Sequence, residues 1–145
     1  MMRSLSTAVF LLSASLSFGR IHEELNGTWV LLPQPTVYHG EQVTESGTVT
    51  IDIREGNVAV IRDFTFRGKA HNFRYHDIAD GPMNSTLRAP QQTTHLRWEH
   101  TALRLQTIRD GEETVDTFSL APDGTMTDIV ESPGRAPVAL MFHRQ

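Results

Sequence analysis

The chain has 145 residues, of which 39% are hydrophobic and 21% are charged, and it contains no cysteine. These values are typical of one ordinary globular domain, and they exclude a disulfide framework, a thiolate metal site and a cysteine nucleophile. The formal net charge is −4, from 13 basic and 17 acidic residues. A mildly acidic chain without a basic run lacks the electrostatic footprint that dominates nucleic-acid affinity, so we expect no nucleic-acid partner.

Residues 1–19 have the features of a secretory signal peptide. A short start with Arg3 is followed by an uncharged, largely apolar stretch at 5–18 and then by the small residue Gly19. This stretch is shorter than the roughly 20 apolar residues that a helix needs to span a bilayer. We therefore expect cleavage near Gly19 and no stable membrane insertion afterwards. The mature chain, residues 20–145, is predicted to be a single domain that is periplasmic or secreted.

From residue 25 onward, short alternating segments are separated by turn residues, which predicts an all-β fold. The first clear example is 48–53, where Val49, Ile51 and Ile53 share one face of a half-buried strand. The predicted strands span residues 27–32, 48–53, 58–66, 70–76, 93–100, 103–108, 113–120, 126–130 and 138–143.

Tight turns join most of these segments, with Gly56, Gly68, Gly111 and Gly124 marking four of them. Consecutive short turns make neighbours in sequence neighbours in space, which favours an antiparallel up-and-down β-barrel of 8–10 strands over a sandwich. In such a barrel the last strand is expected to meet the first. No helical segment is long enough for a βαβ unit, so Rossmann, P-loop and TIM-barrel architectures are excluded.

The tripeptide Gly27-Thr28-Trp29, just after the predicted mature start, resembles the Gly-x-Trp signature of the lipocalins and the wider calycin group. In that group the tryptophan closes one end of the barrel and a late arginine often packs over it. Arg144, near the end of the last strand, stands where such an arginine is expected. The whole mature chain resembles small exported bacterial lipocalin-like proteins, although the Thr-Asp-x-x-Tyr motif and the usual cysteines of the kernel lipocalins have no counterpart. The resemblance implies a lipocalin-like barrel.

Residue patterns for metal binding or catalysis are weak. His71 and His76 are five residues apart, as are His95 and His100, so within one strand the members of each pair point to opposite faces. No serine lies in a Gly-x-Ser-x-Gly turn, and no two carboxylates are placed to share a proton. We therefore expect no metal, no cofactor and no enzymatic activity.

The barrel interior is the better candidate, because small barrels either fill with side chains or hold one small ligand. Several polar groups fall on the apolar phase of their strands, namely Arg62, His71, Tyr75, Thr107 and Thr117. If they face inward, they must be paired or hydrated, and they could orient a ligand. A bulge that turns them outward is the alternative, and adjacent apolar residues at 60 and 61 predict an irregularity of that kind in the third strand.

Two functional hypotheses follow. The first is an exported lipocalin-like barrel that binds a small apolar or amphipathic ligand, with six predicted ligand-binding residues: Trp29, Arg62, His71, Phe73, Tyr75 and Trp98. The alternative is a protein-binding or inhibitory module with a side-chain-filled barrel, which would act through its longest connections, residues 33–46 and 77–92. Its protein partner is unknown. An esterase-like or isomerase activity in the barrel mouth comes third.

Overall fold

The computed structural model describes residues 22–33, 37–38, 41–42, 46–81, 84–86 and 92–145. The predicted signal peptide lies outside the described residues, as do large parts of the two long connections. The export segment, the boundary of the mature domain and the role of those connections therefore stay predictions. Within the described ranges, the structure contains no helix with the length and apolar character needed to cross a membrane.

In the described part of the chain the fold is all-β apart from one short 3-10 helix, Glu23–Leu25. The strands are β1 (Gly27–Leu31), β2 (Val37–Tyr38), β3 (Glu41–Gln42), β4 (Ser46–Arg54), β5 (Asn57–Phe66), β6 (Lys69–Ile78), β7 (Asn84–Thr86), β8 (Gln92–Glu99), β9 (Ala102–Arg109), β10 (Glu112–Leu120), β11 (Met126–Glu131) and β12 (Val138–Arg144). All nine predicted strands form, with ends shifted by at most two residues. The sequence interpretation missed the short strands β2, β3 and β7.

The strands form an antiparallel up-and-down barrel, which confirms the predicted fold class. One ten-stranded sheet has the order β6-β5-β4-β1-β12-β11-β10-β9-β8-β7, and β2 pairs with β3 in a separate hairpin. The first and last strands pair as expected, with Trp29 opposite Arg144 and Leu31 opposite Phe142. This pairing of β1 with β12 joins the two halves of the sheet.

The barrel is nearly closed, and its seam lies between β6 and β8. No ladder pairs these two strands in the described part of the chain. The turn after β6 bridges the seam at one end: the Asp80 N–H donates to the Leu96 carbonyl at 2.9 Å, and the Trp98 N–H donates to Asp80 Oδ1 at 3.0 Å. We call the end that carries this bridge and the 3-10 helix the closed end.

The other end of the barrel, which we call the open end, carries the β5–β6 and β9–β10 turns. The β9–β10 turn has two central residues with positive φ, Asp110 at 50° and Gly111 at 80°. Such a two-residue turn matches the twist of the strands that it joins, and aspartate followed by glycine suits it. The turn brings the facing ends of β9 and β10 together at the rim.

Strand β5 is regular, which corrects the predicted irregularity. Its buried residues alternate strictly as Val58, Val60, Arg62 and Phe64, and its pairing with both neighbours is uninterrupted. Ile61 instead faces outward and is half-buried. The phase of β5 therefore places Arg62 inside the barrel.

The prediction that Thr117 faces inward was wrong because the inward phase of β10 is the other one. In β10 the inward positions are those of Asp116 and Phe118, which are 1% and 0% exposed, while Thr117 is on the outward phase and only half-buried. Val115 shares the outward phase of Thr117 but is only 7% exposed. Its apolar side chain therefore suggests an inward phase for Thr117 that the strand does not have.

The half of the barrel nearest the closed end is filled by apolar side chains. Eleven of them are less than 2% exposed: Trp29, Val49, Ile51, Val58, Val60, Leu96, Leu103, Leu105, Phe118, Met126 and Phe142. Packing of this kind is the main source of stability in a domain without disulfides.

Trp29 and Arg144 seal the closed end, as the resemblance to lipocalins implied. The Arg144 guanidinium carbon lies 4.3 Å from the centre of the Trp29 ring, and the Trp29 Nε1–H donates to the Leu25 carbonyl at 2.9 Å. Arg144 also donates to the carbonyls of Glu24 and Asn26 at the end of the 3-10 helix. A side chain at Gly27 would collide with Arg144, since a Cβ atom there would lie 2.8 Å from its Nη1.

Candidate functional site

A chamber of about 470 Å³ lies in the open half of the barrel, above the packed half. This volume is within the range of roughly 300–1,000 Å³ that is usual for small-molecule sites. It opens at a rim where Asp110 and Glu112 are exposed. Its lining comes from β5, β6, β9 and β10 and consists of Arg62, Phe64, Phe73, Tyr75, Thr107, Arg109, Asp110, Glu112, Thr114 and Asp116.

Strand register sets the aromatic wall of the chamber. Arg62 of β5 is opposite Phe73 of β6, and Tyr75 follows Phe73 on the same face. Phe64 lies across Gly47 of β4, where a Cβ atom would stand only 2.0 Å from its ring. The glycine therefore allows the Phe64 ring to lie flat against the barrel wall.

A buried ion triad forms the polar part of the chamber. Arg62 Nη1 donates to Asp116 Oδ1 at 2.7 Å, and Arg62 Nη2 donates to Asp128 Oδ2 at 3.3 Å. Asp116 and Asp128 stand on the adjacent strands β10 and β11 and are 1% and 0% exposed. One guanidinium is thus held between two carboxyl groups in a region shielded from water.

The two carboxyl groups titrate abnormally. Burial raises the pKa of Asp116, and the nearby Arg62 opposes that rise. Burial raises the pKa of Asp128 well above its usual range, the charge of Asp116 raises it further, and Arg62 opposes the shift only in part. Ionisation of two neighbouring carboxyl groups at low dielectric is unfavourable, because their negative charges repel each other. Burial and the charge of Asp116 thus both favour the protonated form of Asp128, whereas Arg62 favours the charged form of Asp116.

Both terminal nitrogens of Arg62 donate to a carboxyl group of the protein. Burial lowers its pKa, but Asp116 and Asp128 more than offset this, and the group stays a cation. Its Nε is buried and has no hydrogen-bond partner among the described residues. Tyr75 lies close to the triad. Burial raises the pKa of its phenol, and the charge of Arg62 opposes the rise.

The rim of the chamber carries both signs of charge. Arg109 of β9 is directly opposite Glu112 of β10, and its guanidinium carbon lies 5.5 Å from the centre of the Phe73 ring. His71 stacks on the outer side of Phe73, with ring centres 6.1 Å apart and planes inclined by 3°. The rim thus combines an aromatic pair with a cation and two exposed acids.

The structure separates the six residues that the sequence predicted as ligand-binding. Arg62, Phe73 and Tyr75 line the chamber together. His71 is exposed at the rim, on the inward phase of β6 but outside the chamber lining. The two tryptophans lie at the closed end, where Trp29 is 0% exposed under Arg144 and Trp98 stacks on His22 at 3.8 Å between ring centres. Binding by any of the six stays a prediction.

Sequence reasoning missed Asp116 and Phe64 as chamber residues, and it missed Asp128, which pairs with Arg62 outside the chamber lining. Alternation with neighbouring apolar residues carries a signal for Asp128, because Met126 and Asp128 share one face of β11. The contacts of Asp116 and Asp128 with Arg62 join residues that are 54 and 66 positions apart in the sequence. No local pattern indicates these contacts. Within the described ranges, no group of three potential metal ligands is arranged around a common point.

Comparison with solved structures identifies this barrel among known folds. The fluorescent protein UnaG matches with a TM-score of 0.64 at 14% identity, over 85% of this chain and 98% of that one. A Schistosoma mansoni fatty acid binding protein in complex with arachidonic acid matches with a TM-score of 0.63 at 14% identity, over 86% and 98%. Secretory abundant heat soluble protein 4 from Ramazzottius varieornatus matches with a TM-score of 0.60 at 9% identity, over 85% and 96%.

The fold is thus a calycin-type, lipocalin-like barrel shared with fatty-acid-binding proteins. None of the three matching proteins is described as an enzyme. Comparisons of the sequence with family models and with curated proteins give no significant match. At identities of 14% and below, the likeness shows the fold alone.

Proposed function

We propose that this protein is an exported lipocalin-like barrel that binds one small apolar or amphipathic molecule in its open half. The observation that carries the proposal is the division of the interior, which is packed with side chains near the closed end and has a chamber of about 470 Å³ near the open end. A barrel that served only as a scaffold for loops would have no need of this space. Similar structures, which include fatty-acid-binding proteins, support the same class of ligand.

The chamber is suited to an amphipathic ligand because its wall is apolar on one side and polar on the other. Phe64, Phe73 and Tyr75 offer aromatic surface on β5 and β6, whereas Asp116 and Thr107 offer buried oxygen atoms on β10 and β9. Burying an apolar ligand surface contributes roughly 25 cal/mol per Å². A few fixed polar groups then orient the ligand.

Displacement of a neutral, environment-sensitive dye such as Nile red tests the proposal. We expect saturable dye binding with an increase in emission, and competition by single-chain amphiphiles. Thr114→Trp, on the chamber wall, fills the space and should weaken dye binding at least tenfold. Thr65→Trp, on the outward phase of β5, is the matched control and should leave binding unchanged. Absence of saturable binding, or equal loss in both variants, would overturn the proposal.

Export is the second part of the proposal and rests on the sequence of residues 1–19. Residues 1–25 fused to a reporter that is active only outside the cytoplasm should give activity. The Leu11→Arg variant places a charge in the apolar stretch and should abolish it. Retention of the native fusion in the cytoplasm, without reporter activity, would remove the export claim and leave the binding claim untouched.

A further inference from the structure

We propose that the chamber selects ligands with an uncharged hydroxyl or amide head group and rejects carboxylates. This inference rests on the proposed binding function and names the chemical class of its ligand. Three observations support it: the hydrogen bonds from both terminal nitrogens of Arg62 to protein carboxyl groups, the sign of the charge along the chamber wall, and the hydrogen-bonding groups that remain available.

Arg62 is the buried cation of the chamber, and of its three side-chain nitrogens only Nε has no hydrogen-bond partner among the described residues. Asp116 and Asp128 accept hydrogen bonds from its two terminal nitrogens, at 2.7 and 3.3 Å. A carboxylate ligand is best recognised by two parallel N–H donors of a guanidinium. Within this triad, a ligand carboxylate could form such a pair only by sharing a terminal nitrogen with Asp116 or Asp128.

The chamber wall as a whole carries more negative than positive charge. Its charged lining consists of two basic and three acidic side chains, Arg62, Arg109, Asp110, Glu112 and Asp116. At the rim, Glu112 is directly opposite Arg109 in the β9–β10 ladder. Asp128 stands behind Asp116, and burial and that neighbour raise its pKa, which favours its uncharged form. An anionic head group would bring a further like charge into a poorly hydrated space.

Groups that remain available suit a head group that both donates and accepts hydrogen bonds. Asp116 is a buried acceptor on β10, Thr107 contributes a hydroxyl group on the neighbouring strand β9, and Tyr75 contributes one on β6. A ligand hydroxyl or primary amide can donate to Asp116 and accept from either hydroxyl. A carboxylate offers acceptors only, and it would leave Asp116 facing another anion.

A series of ligands with one alkyl chain and four head groups tests the inference. Dodecanol, dodecanamide, dodecanoate and dodecylammonium are compared by Nile red displacement at pH 7. We expect the alcohol and the amide to bind at least tenfold more tightly than the carboxylate and more tightly than the ammonium. Tightest binding by dodecanoate or by dodecylammonium would overturn the inference while leaving the proposed function intact. Binding of no dye and no ligand would overturn both.

A variant that frees the guanidinium should reverse the preference. In Asp116→Asn/Asp128→Asn both carboxyl groups are replaced by neutral groups of the same shape, so Arg62 becomes an unpaired buried cation. We expect dodecanoate affinity to rise at least tenfold and to exceed that of dodecanol. Asp52→Asn, an exposed acid paired only with Arg54, is the control and should not alter the order of affinities. An unchanged preference in a folded double variant would contradict the inference.

A measurement on the native chain covers the case in which the double variant does not fold. Dodecanoate becomes uncharged when the pH falls through its own pKa, whereas dodecanol does not change. The affinity of the native protein for the fatty acid should therefore rise at least fivefold relative to dodecanol on acidification to pH 4.5. A ratio that stays constant, or that falls, would show that the chamber does not discriminate against the negative charge.

Discussion

Replacement of Arg62 by methionine should destabilise the barrel more than removal of any exposed arginine. The substitution keeps an unbranched apolar stem and removes the cation that both terminal contacts depend on, at 2.7 Å to Asp116 and 3.3 Å to Asp128. Both carboxyl groups are at most 1% exposed, so water cannot replace the guanidinium. Removing one partner from a buried ion pair costs about 3–5 kcal/mol. For a domain of this size the midpoint of thermal unfolding should fall by roughly 10–20 °C.

Urea denaturation followed by circular dichroism measures the effect, with two comparison proteins. Arg74→Met removes an exposed arginine from the neighbouring strand β6 and should change the free energy of unfolding by less than about 0.5 kcal/mol. The triple variant Arg62→Met/Asp116→Asn/Asp128→Asn removes the whole set of charges and should recover most of the lost stability. If Arg62→Met costs no more than Arg74→Met, the triad is not the buried, ion-paired group described above.

The loss should also depend on pH in a defined direction. Without Arg62, burial raises the folded-state pKa of both carboxyl groups further above the value in the unfolded chain. A raised folded pKa gives stability that is fully present below the unfolded pKa and is lost as the pH rises through the folded pKa. The difference between wild type and Arg62→Met should thus be smallest near pH 4 and grow towards neutral pH. A difference that shrinks as the pH rises would refute this reasoning.

Three further substitutions probe other parts of the barrel. Gly47→Val should push the Phe64 ring into the chamber, weaken Nile red binding severalfold and cost about 1–3 kcal/mol in urea denaturation, and unchanged binding would count against the role of the glycine. Arg144→Leu removes the cation 4.3 Å from Trp29 and should cost about 1–3 kcal/mol and shift the tryptophan emission maximum, so an unaltered spectrum would contradict the packing. Asp128 has a raised pKa, so wild-type stability should fall as the pH rises above about 4, and Asp128→Asn should flatten that dependence; equal pH profiles would exclude the protonated form.

Local patterns in the sequence were sufficient to predict the fold. Alternation with a period of two at Val49, Ile51 and Ile53 fixes which face of β4 is buried, and Gly56 and Gly111 mark hairpin turns whose geometry requires residues of positive φ. Both signals act within a few residues of each other in the chain. The order of the strands then follows, because each hairpin places its two strands side by side.

The chamber was only partly predictable, because its polar centre is assembled over long distances in the sequence. The phase of β5 and β6 places Arg62, Phe73 and Tyr75 inside the barrel. Nothing local to Asp116 or Asp128 shows that they meet Arg62, since those contacts depend on how β10 and β11 curve round to face β5. Trp29 and Trp98 were predicted to bind the ligand, yet both lie at the closed end. The sequence does not distinguish a large residue that seals a barrel from one that lines a cavity.

The ion triad is better explained by ligand selection than by stability. Buried ion pairs can often be replaced by packed apolar residues with no loss of stability, because removing the charges also removes the cost of dehydrating them. An apolar variant, Arg62→Met/Asp116→Leu/Asp128→Leu, should then be about as stable as wild type in urea denaturation. It should bind the alkyl chain but no longer prefer dodecanol and dodecanamide to dodecanoate. Loss of stability with retained head-group preference would reverse this assignment and make the triad a structural element.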